Sequence, residues 1–170
     1  MSLKIQIERE LESLLGKPLV GLGRAADMLW LGFGDPCQIT NFKGKERSVS
    51  EFALHVQSAW RFIKEGRIAL ASGDLYLDSV TKFADDGRSP LSRFDSEVPL
   101  FSSREVPATV KSVAADEMGG VVLIFDSGLH FEIVVMDSAK EEKWRFFSNK
   151  SEADHFVVPL EQSGSLRLIK

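Results

Sequence analysis

Three histidines, one cysteine and two Trp-Arg-Phe triplets are the residues of this chain best suited to chemistry. A zinc or iron centre needs imidazole, thiolate or carboxylate ligands at short regular spacing. His55, His130 and His155 fall in no His-x-His or His-Glu-x-x-His arrangement, so they are expected to be packed histidines, with no metal and no other cofactor. Cys37 lies between Pro36 and Gln38, and a nucleophilic thiol needs a base beside it that the sequence does not place. No Gly-x-Ser-x-Gly is present, and Gly21-Leu22-Gly23 and Gly32-Phe33-Gly34 lead into no phosphate-cradling turn before a helix. No catalytic residue is assigned.

On a strand, Trp60 and Phe62 face one way and Arg61 the other, and the same alternation holds for Trp144, Phe146 and Arg145. The aromatics are expected in the core. Each guanidinium fork suits either a carboxylate of its own sheet or an anionic ligand. The ion pair is the expected role, with Asp27 or Asp74 for Arg61 and Asp116 for Arg145. Gly73-Asp74-Leu75-Tyr76, with Asp78, stands at the mouth of a long irregular segment, where loops carry sites. An Asp that accepts backbone N–H bonds in a turn is the plainer expectation there. Should the chain hold a small-molecule site, Asp27, His55, Arg61, Asp74 and Tyr76 are its candidate ligand-binding residues. Lys43, Lys45 and Arg47 are three charges in a solvated loop, well short of a nucleic-acid surface.

The elements that must position these residues begin with a helix over residues 2–15. Leu3, Ile7, Leu11, Leu14 and Leu15 form one apolar stripe, Ser2 can cap the start, and Gly16 and Pro18 stop it. Strands are expected at 19–25, 28–33, 51–62, 67–72, 110–115, 121–125, 129–136 and 155–159, with Asp126-Ser127-Gly128 as a hairpin turn and the polar stretch 34–50 as a long loop. The order Ala25-Ala26-Asp27, Leu31-Gly32-Phe33, Trp60-Arg61-Phe62 recurs as Ala114-Ala115-Asp116, Leu123-Ile124-Phe125, Trp144-Arg145-Phe146. This predicts an internal duplication, approximately 17–74 and 106–160, with a 75–105 connecting insertion. The fold class expected is α+β, mostly β: two similar antiparallel β-meander units packed together with an N-terminal amphipathic helix, in a single domain spanning 1–170.

Composition fits that picture. Of 170 residues, 44% are apolar and 27% charged, the proportions of a globular chain. The net charge of -4 is not segregated, since residues 1–85 carry 11 basic and 11 acidic groups and residues 86–170 carry 10 and 14. Nucleic acid is therefore not expected as a partner, and no stretch approaches the ~20 apolar residues of a membrane span. A single cysteine fits a reducing, cytoplasmic setting.

The run Phe52-Ala53-Leu54-His55-Val56-Gln57-Ser58-Ala59-Trp60-Arg61, followed by Gly73-Asp74-Leu75-Tyr76, resembles a motif of small uncharacterised bacterial proteins. The resemblance implies a bacterial cytosolic protein and assigns no activity. Two functions are expected from the chain as a whole. The first is a non-enzymatic protein-interaction module, immunity-like or regulatory, with a protein partner. The alternative is a small-molecule or enzyme site at the junction of the two β units.

Overall fold

The computed structural model describes residues 1–40, 43–83, 90–102, 108–151 and 153–159. Helix α1 (Leu3–Leu11) is capped by Ser2, whose hydroxyl accepts the Ile5 N–H, and runs on as a 3-10 turn to Leu14. Its stripe is buried: Ile7, Leu11 and Leu14 are all 0% exposed. Among the described residues twelve strands follow: β1 (Leu19–Ala25), β2 (Met28–Thr40), β3 (Glu46–Val56), β4 (Ala59–Lys64), β5 (Arg67–Ala71), β6 (Asp78–Phe83), β7 (Pro90–Ser92), β8 (Val110–Ala115), β9 (Val121–Phe125), β10 (His130–Val134), β11 (Glu142–Ser148) and β12 (Phe156–Pro159). Helix α2 (Arg93–Ser102) stands between β7 and β8.

The strands form two antiparallel five-stranded sheets, in the orders β1-β2-β3-β11-β12 and β5-β4-β10-β9-β8, and a small β6-β7 ribbon. Each large sheet is a three-strand meander from one half of the chain completed by a hairpin from the other half. The last strands of the two predicted units, expected at 67–72 and 155–159 and observed as β5 and β12, thus belong to the opposite sheet from the meander that precedes each of them. The exchange starts at Gln57 and Ser58, both of whose N–H groups donate to the Lys143 carbonyl at 2.9 and 3.0 Å. That pause splits the expected strand 51–62 in two. Side-chain parity survives it: Leu54, Val56, Trp60 and Phe62 all face inward and all are at most 2% exposed.

Both inward faces feed one core, in which Leu31, Phe33, Leu54 and Trp144 of the first sheet meet Phe62, Leu123, Phe125 and Phe131 of the second. Aromatic residues of this kind bury about 150–250 Å² each, so they dominate the energetics of such a core. Trp144 is 0% exposed, and its indole Nε1 donates to the Gly119 carbonyl at 2.8 Å. Gly119 sits at φ +95°, a left-handed conformation that glycine adopts without strain. Phe62 packs on Phe131 at 4.7 Å between ring centroids, and Trp60 packs edge-on against Phe94 of α2.

The sheets also meet at one edge, where Pro18 bridges Thr109 and the Leu19 N–H donates to the Ala108 carbonyl at 2.9 Å. Helix α1 blocks the free edge of β8: the Glu8 carboxylate accepts the Ala115 N–H at 3.1 Å, and the Lys4 ammonium donates to the Ala115 carbonyl at 3.0 Å. Covering an edge strand in this way removes a template for unwanted pairing.

Two segments differ from expectation. Residues 34–40 and 46–50 are strand and not loop: β2 and β3 pair on from Pro36↔Ser50 to Thr40↔Glu46, past a bulge between Phe33 and Pro36, and residues 41 and 42 lie outside the described residues. Gly34, at φ +79°, makes the bulge. The insertion 75–105 contains the β6-β7 ribbon and α2; residues 84–89 and 103–105 of it, and the predicted unit ends at 106 and 160, lie outside the described residues. The Ser92 hydroxyl accepts the Asp95 N–H at 3.0 Å and donates to the Asp95 carboxylate at 2.9 Å, which closes the first turn of α2. Asp95 also binds Arg24 of β1 through two bonds of 2.9 and 2.6 Å, which fastens the insertion to the first sheet.

Candidate functional site

Along β1, β2 and β3 the residues that alternate with the core point outward, and on β1 and β2 several of them are glycine. Gly23 pairs with Trp30, and Trp30 with His55. The Trp30 indole lies flat over the β1 glycines: a Cβ placed on Gly23 would be 2.5 Å from Cζ2, and one on Gly21 3.4 Å from Cζ3. The absence of side chains on β1 is what lets a large ring lie against the backbone. Trp30 nevertheless remains 38% exposed. Gly21 and Gly23 therefore floor the surface on which Trp30 lies.

The projecting β2-β3 arm turns this face into a trough of about 780 Å³. Pro36 and residues 47–50 form one wall; Val20, Gly21, Trp30, Gly32 and Ala53 lie along the floor; His55, Phe147 and Asn149 line the far side. A volume of this size is in the range of ligand pockets. Asn149 holds the arm to the sheet, its side-chain amide donating to the Ser50 carbonyl at 2.9 Å.

His55 is half-buried and faces Arg145 across the β3-β11 ladder. Burial first, then the Arg145 and His155 charges, pushes its pKa below the ordinary histidine value, and burial and Arg145 do the same to His155. Phe147 separates the two imidazoles, stacked on His155 at 4.0 Å between centroids and edge-on to His55 at 5.0 Å. Arg145 gives its Nε and Nη2 to the Glu142 carboxylate at 2.6 and 2.5 Å. Its partner is thus Glu142 and not Asp116, whose carboxylate instead accepts the Met118 and Gly120 N–H groups of the β8-β9 turn.

The second sheet presents a row in the same register. Ala114 pairs with Val122, Val122 with Glu132, and Glu132 with Arg61, as Gly23, Trp30, His55 and Arg145 pair in the first. There the row is closed by an ion pair, Arg61 Nε to Glu132 Oε2 at 2.6 Å. Arg61 pairs with Glu132, neither with Asp27 nor with Asp74, because the crossing of β4 places it directly opposite that carboxylate. The hollow on this face is about 370 Å³. The two outward faces therefore differ at matched positions, tryptophan for valine and histidine for glutamate.

Of the five residues singled out in the sequence, the structure brings Asp27 and Tyr76 together. Tyr76 is 69% exposed, and desolvation with its hydrogen bond to Asp27 raises the phenol pKa. Asp74 occupies the 3-10 turn Ser72–Leu75, where its carboxylate accepts the Ala71 N–H at 2.8 Å and lies 3.6 Å from the Arg93 Nε, the role of a turn aspartate. His55 and Arg61 face outward on different sheets, so the five do not line one cavity; His55 alone reaches the trough. Trp30 was not singled out, although two glycines alternating on the preceding strand opposite a tryptophan are a signal that could have found it.

Among the described residues no group of three or more His, Cys, Asp or Glu side chains could hold a metal ion. No buried side-chain polar atom among them lacks a partner. No helix among them is long and apolar enough to cross a membrane. Comparison with protein-family models, curated protein sequences and solved structures returned no match.

Proposed function

We propose that this chain is a non-catalytic protein-interaction module, regulatory or immunity-like, and that it recognises its partner with the outward face of the first sheet and the β2-β3 arm. The observation that carries the reading is the Trp30 trough: an open, mainly apolar surface of about 780 Å³ whose polar lining includes Arg47, His55 and Asn149. Anchoring aromatics beside such polar rims are where binding energy concentrates in protein interfaces. The alternative, a small-molecule site between the two β units, has less support. Their junction is filled by the shared core, and Asp27, Arg61, Asp74 and Tyr76 lie away from the trough.

The reading includes the origin of the two faces. The matched sheet orders, the alignment of Leu31-Gly32-Phe33 with Leu123-Ile124-Phe125, and the two buried triplet tryptophans support an ancestral β module that was copied, after which one outward face kept an ion pair and the other acquired Trp30 and His55. The Ala-Ala-Asp triplets add nothing to it: in that register Gly23, not Ala25, matches Ala114. A cytoplasmic setting belongs to the same reading, supported by the free Cys37.

The test is a pull-down from native cells with the wild type, Trp30→Ala and Arg67→Ala, beside a thermal-shift screen of metabolites and metals. Arg67 is exposed on the second sheet. A protein retained by wild type and Arg67→Ala and lost by Trp30→Ala supports the reading. A metabolite or metal that raises the melting temperature, with no captured protein, overturns it.

A further inference from the structure

We infer that the chain is built as two subunit-like modules, and that the surface between them is an interaction surface which a second copy of this chain can complete by exchanging halves. The first module runs from α1 through β6 and the second from β7 through β12. Each is a helix, a three-strand meander and a hairpin. This extends the copied-module origin to the helices and holds whether or not the Trp30 face has a partner.

The helices carry the extension. Helix α1 ends eight positions before β1 begins, Leu11 to Leu19, and α2 ends eight positions before β8 begins, Ser102 to Val110. Each starts on a serine hydroxyl that accepts an N–H from three residues on, Ser2 from Ile5 and Ser92 from Asp95. Each then lies on the first strand of the other module. The Lys4 ammonium of α1 donates to the Ala115 carbonyl of β8 at 3.0 Å, and the Asp95 carboxylate of α2 accepts from Arg24 of β1 at 2.9 and 2.6 Å. Lys4 is as far from Asp95 in the sequence as Arg24 is from Ala115, so the two contacts occupy matched positions, in the register that matches Gly23 with Ala114.

The strands repeat the reciprocity. Residues 144–148 of β11 pair with 52–56 of β3, and residues 130–134 of β10 pair with 59–63 of β4. Across these ladders Phe146 stacks on Phe52 at 5.6 Å and Phe131 packs on Phe62 at 4.7 Å between ring centroids. Neither sheet is complete within one module, so a module alone would leave its meander and its hairpin without their apolar partners, the condition of an obligate subunit. When the sibling module comes from a second copy, the exchange is a domain swap, which keeps the contacts of the interface.

Complementation between two full-length variants tests this. One carries Leu31→Asp and Leu54→Asp in the first module, the other Leu123→Asp and Phe131→Asp in the second. All four side chains are 0% exposed, so carboxylates there prevent the altered module from packing. Each variant alone should lack the near-ultraviolet circular dichroism of packed tryptophan. Refolded together at high protein concentration, they should form a species of two chains with about half the wild-type signal per chain, because one intact pair of modules forms for every two chains. A mixture that stays as unfolded as its components would overturn the inference. In a second arm, an otherwise wild-type chain with a protease site placed within residues 84–89 is cleaved and passed over a size-exclusion column. Two fragments that co-elute at the mass of the whole chain, with the wild-type spectrum, support the inference, and fragments that separate or unfold overturn it. Either failure leaves standing the interaction role of the Trp30 face, which the pull-down tests.

Discussion

Replacing Gly23 by alanine tests whether Trp30 depends on a floor without side chains. The new Cβ would lie 2.5 Å from the ring where ordinary contact begins near 3.4 Å, so the indole must shift by about 1 Å or lift off β1. Lifting is available because the ring is at the surface and 38% exposed. If it re-exposes about 100 Å², the loss at ~25 cal/mol per Å² is about 2.5 kcal/mol. A glycine-to-alanine change at a compatible backbone position offsets about 0.4–1 kcal/mol of that through the unfolded state. The net expectation is a loss of about 1.5–2 kcal/mol, or roughly 3–8 °C in Tm for a domain of this size. Scanning calorimetry measures the stability. Acrylamide quenching reads the ring, because Trp60 and Trp144 are 2% and 0% exposed and the accessible fluorescence belongs to Trp30. Gly73→Ala is the control, since a Cβ there meets nothing within 4 Å. An unchanged melting temperature together with unchanged quenching in Gly23→Ala would refute the placement of Trp30 on β1.

Further outcomes follow from the same structure. Arg61→Ala removes a pair whose arginine side chain is 46% exposed, so it should cost at most about 1 kcal/mol by urea denaturation, and a larger loss would mean that the row on the second sheet does more than close an ion pair. Trp144→Phe leaves the Gly119 carbonyl without its buried donor and opens a void, an expected loss of about 2–4 kcal/mol; a loss under 1 kcal/mol would contradict the packing. His55 and His155 have folded pKa values below their ordinary value of 6.5, so unfolding takes up protons. Stability should be fully present above about pH 6.5, fall as pH drops toward the lowered folded values, and level off beneath them. The double variant His55→Gln, His155→Gln should flatten the melting temperature between pH 7 and 5, and an unchanged pH slope would contradict the burial of the pair.

The sequence was most legible where turn chemistry bounds a short apolar run. The strands Leu19–Ala25, Val110–Ala115 and Val121–Phe125 end where expected because Ala26-Asp27, Gly119-Gly120 and Asp126-Ser127-Gly128 turn the chain. It was least legible where the same local signal serves two topologies. Residues 51–62 keep one alternation while the chain passes from sheet to sheet, and only the long-range bonds to the Lys143 carbonyl reveal the break. Gly34-Asp35-Pro36 reads as loop, yet a positive-φ glycine lets the ladder resume beyond it. Helix α2 is masked in the sequence by Pro99 inside it, although Ser92 and Asp95 have the spacing of a capping pair. His55 stands out in the sequence as one of three histidines, and only the pairing of β2 with β3 places it at the trough. Trp30 does not stand out, because its importance comes from glycines that are neighbours only once β1 and β2 pair.

Photo-crosslinking in the native cells tests the central claim most directly. A benzophenone residue at position 48, on the wall of the trough, is compared with one at position 67, exposed on the second sheet. The account predicts a discrete protein adduct from position 48 that Trp30→Ala abolishes, and none of that mass from position 67. The same adduct from both positions, or from position 67 alone, would contradict it.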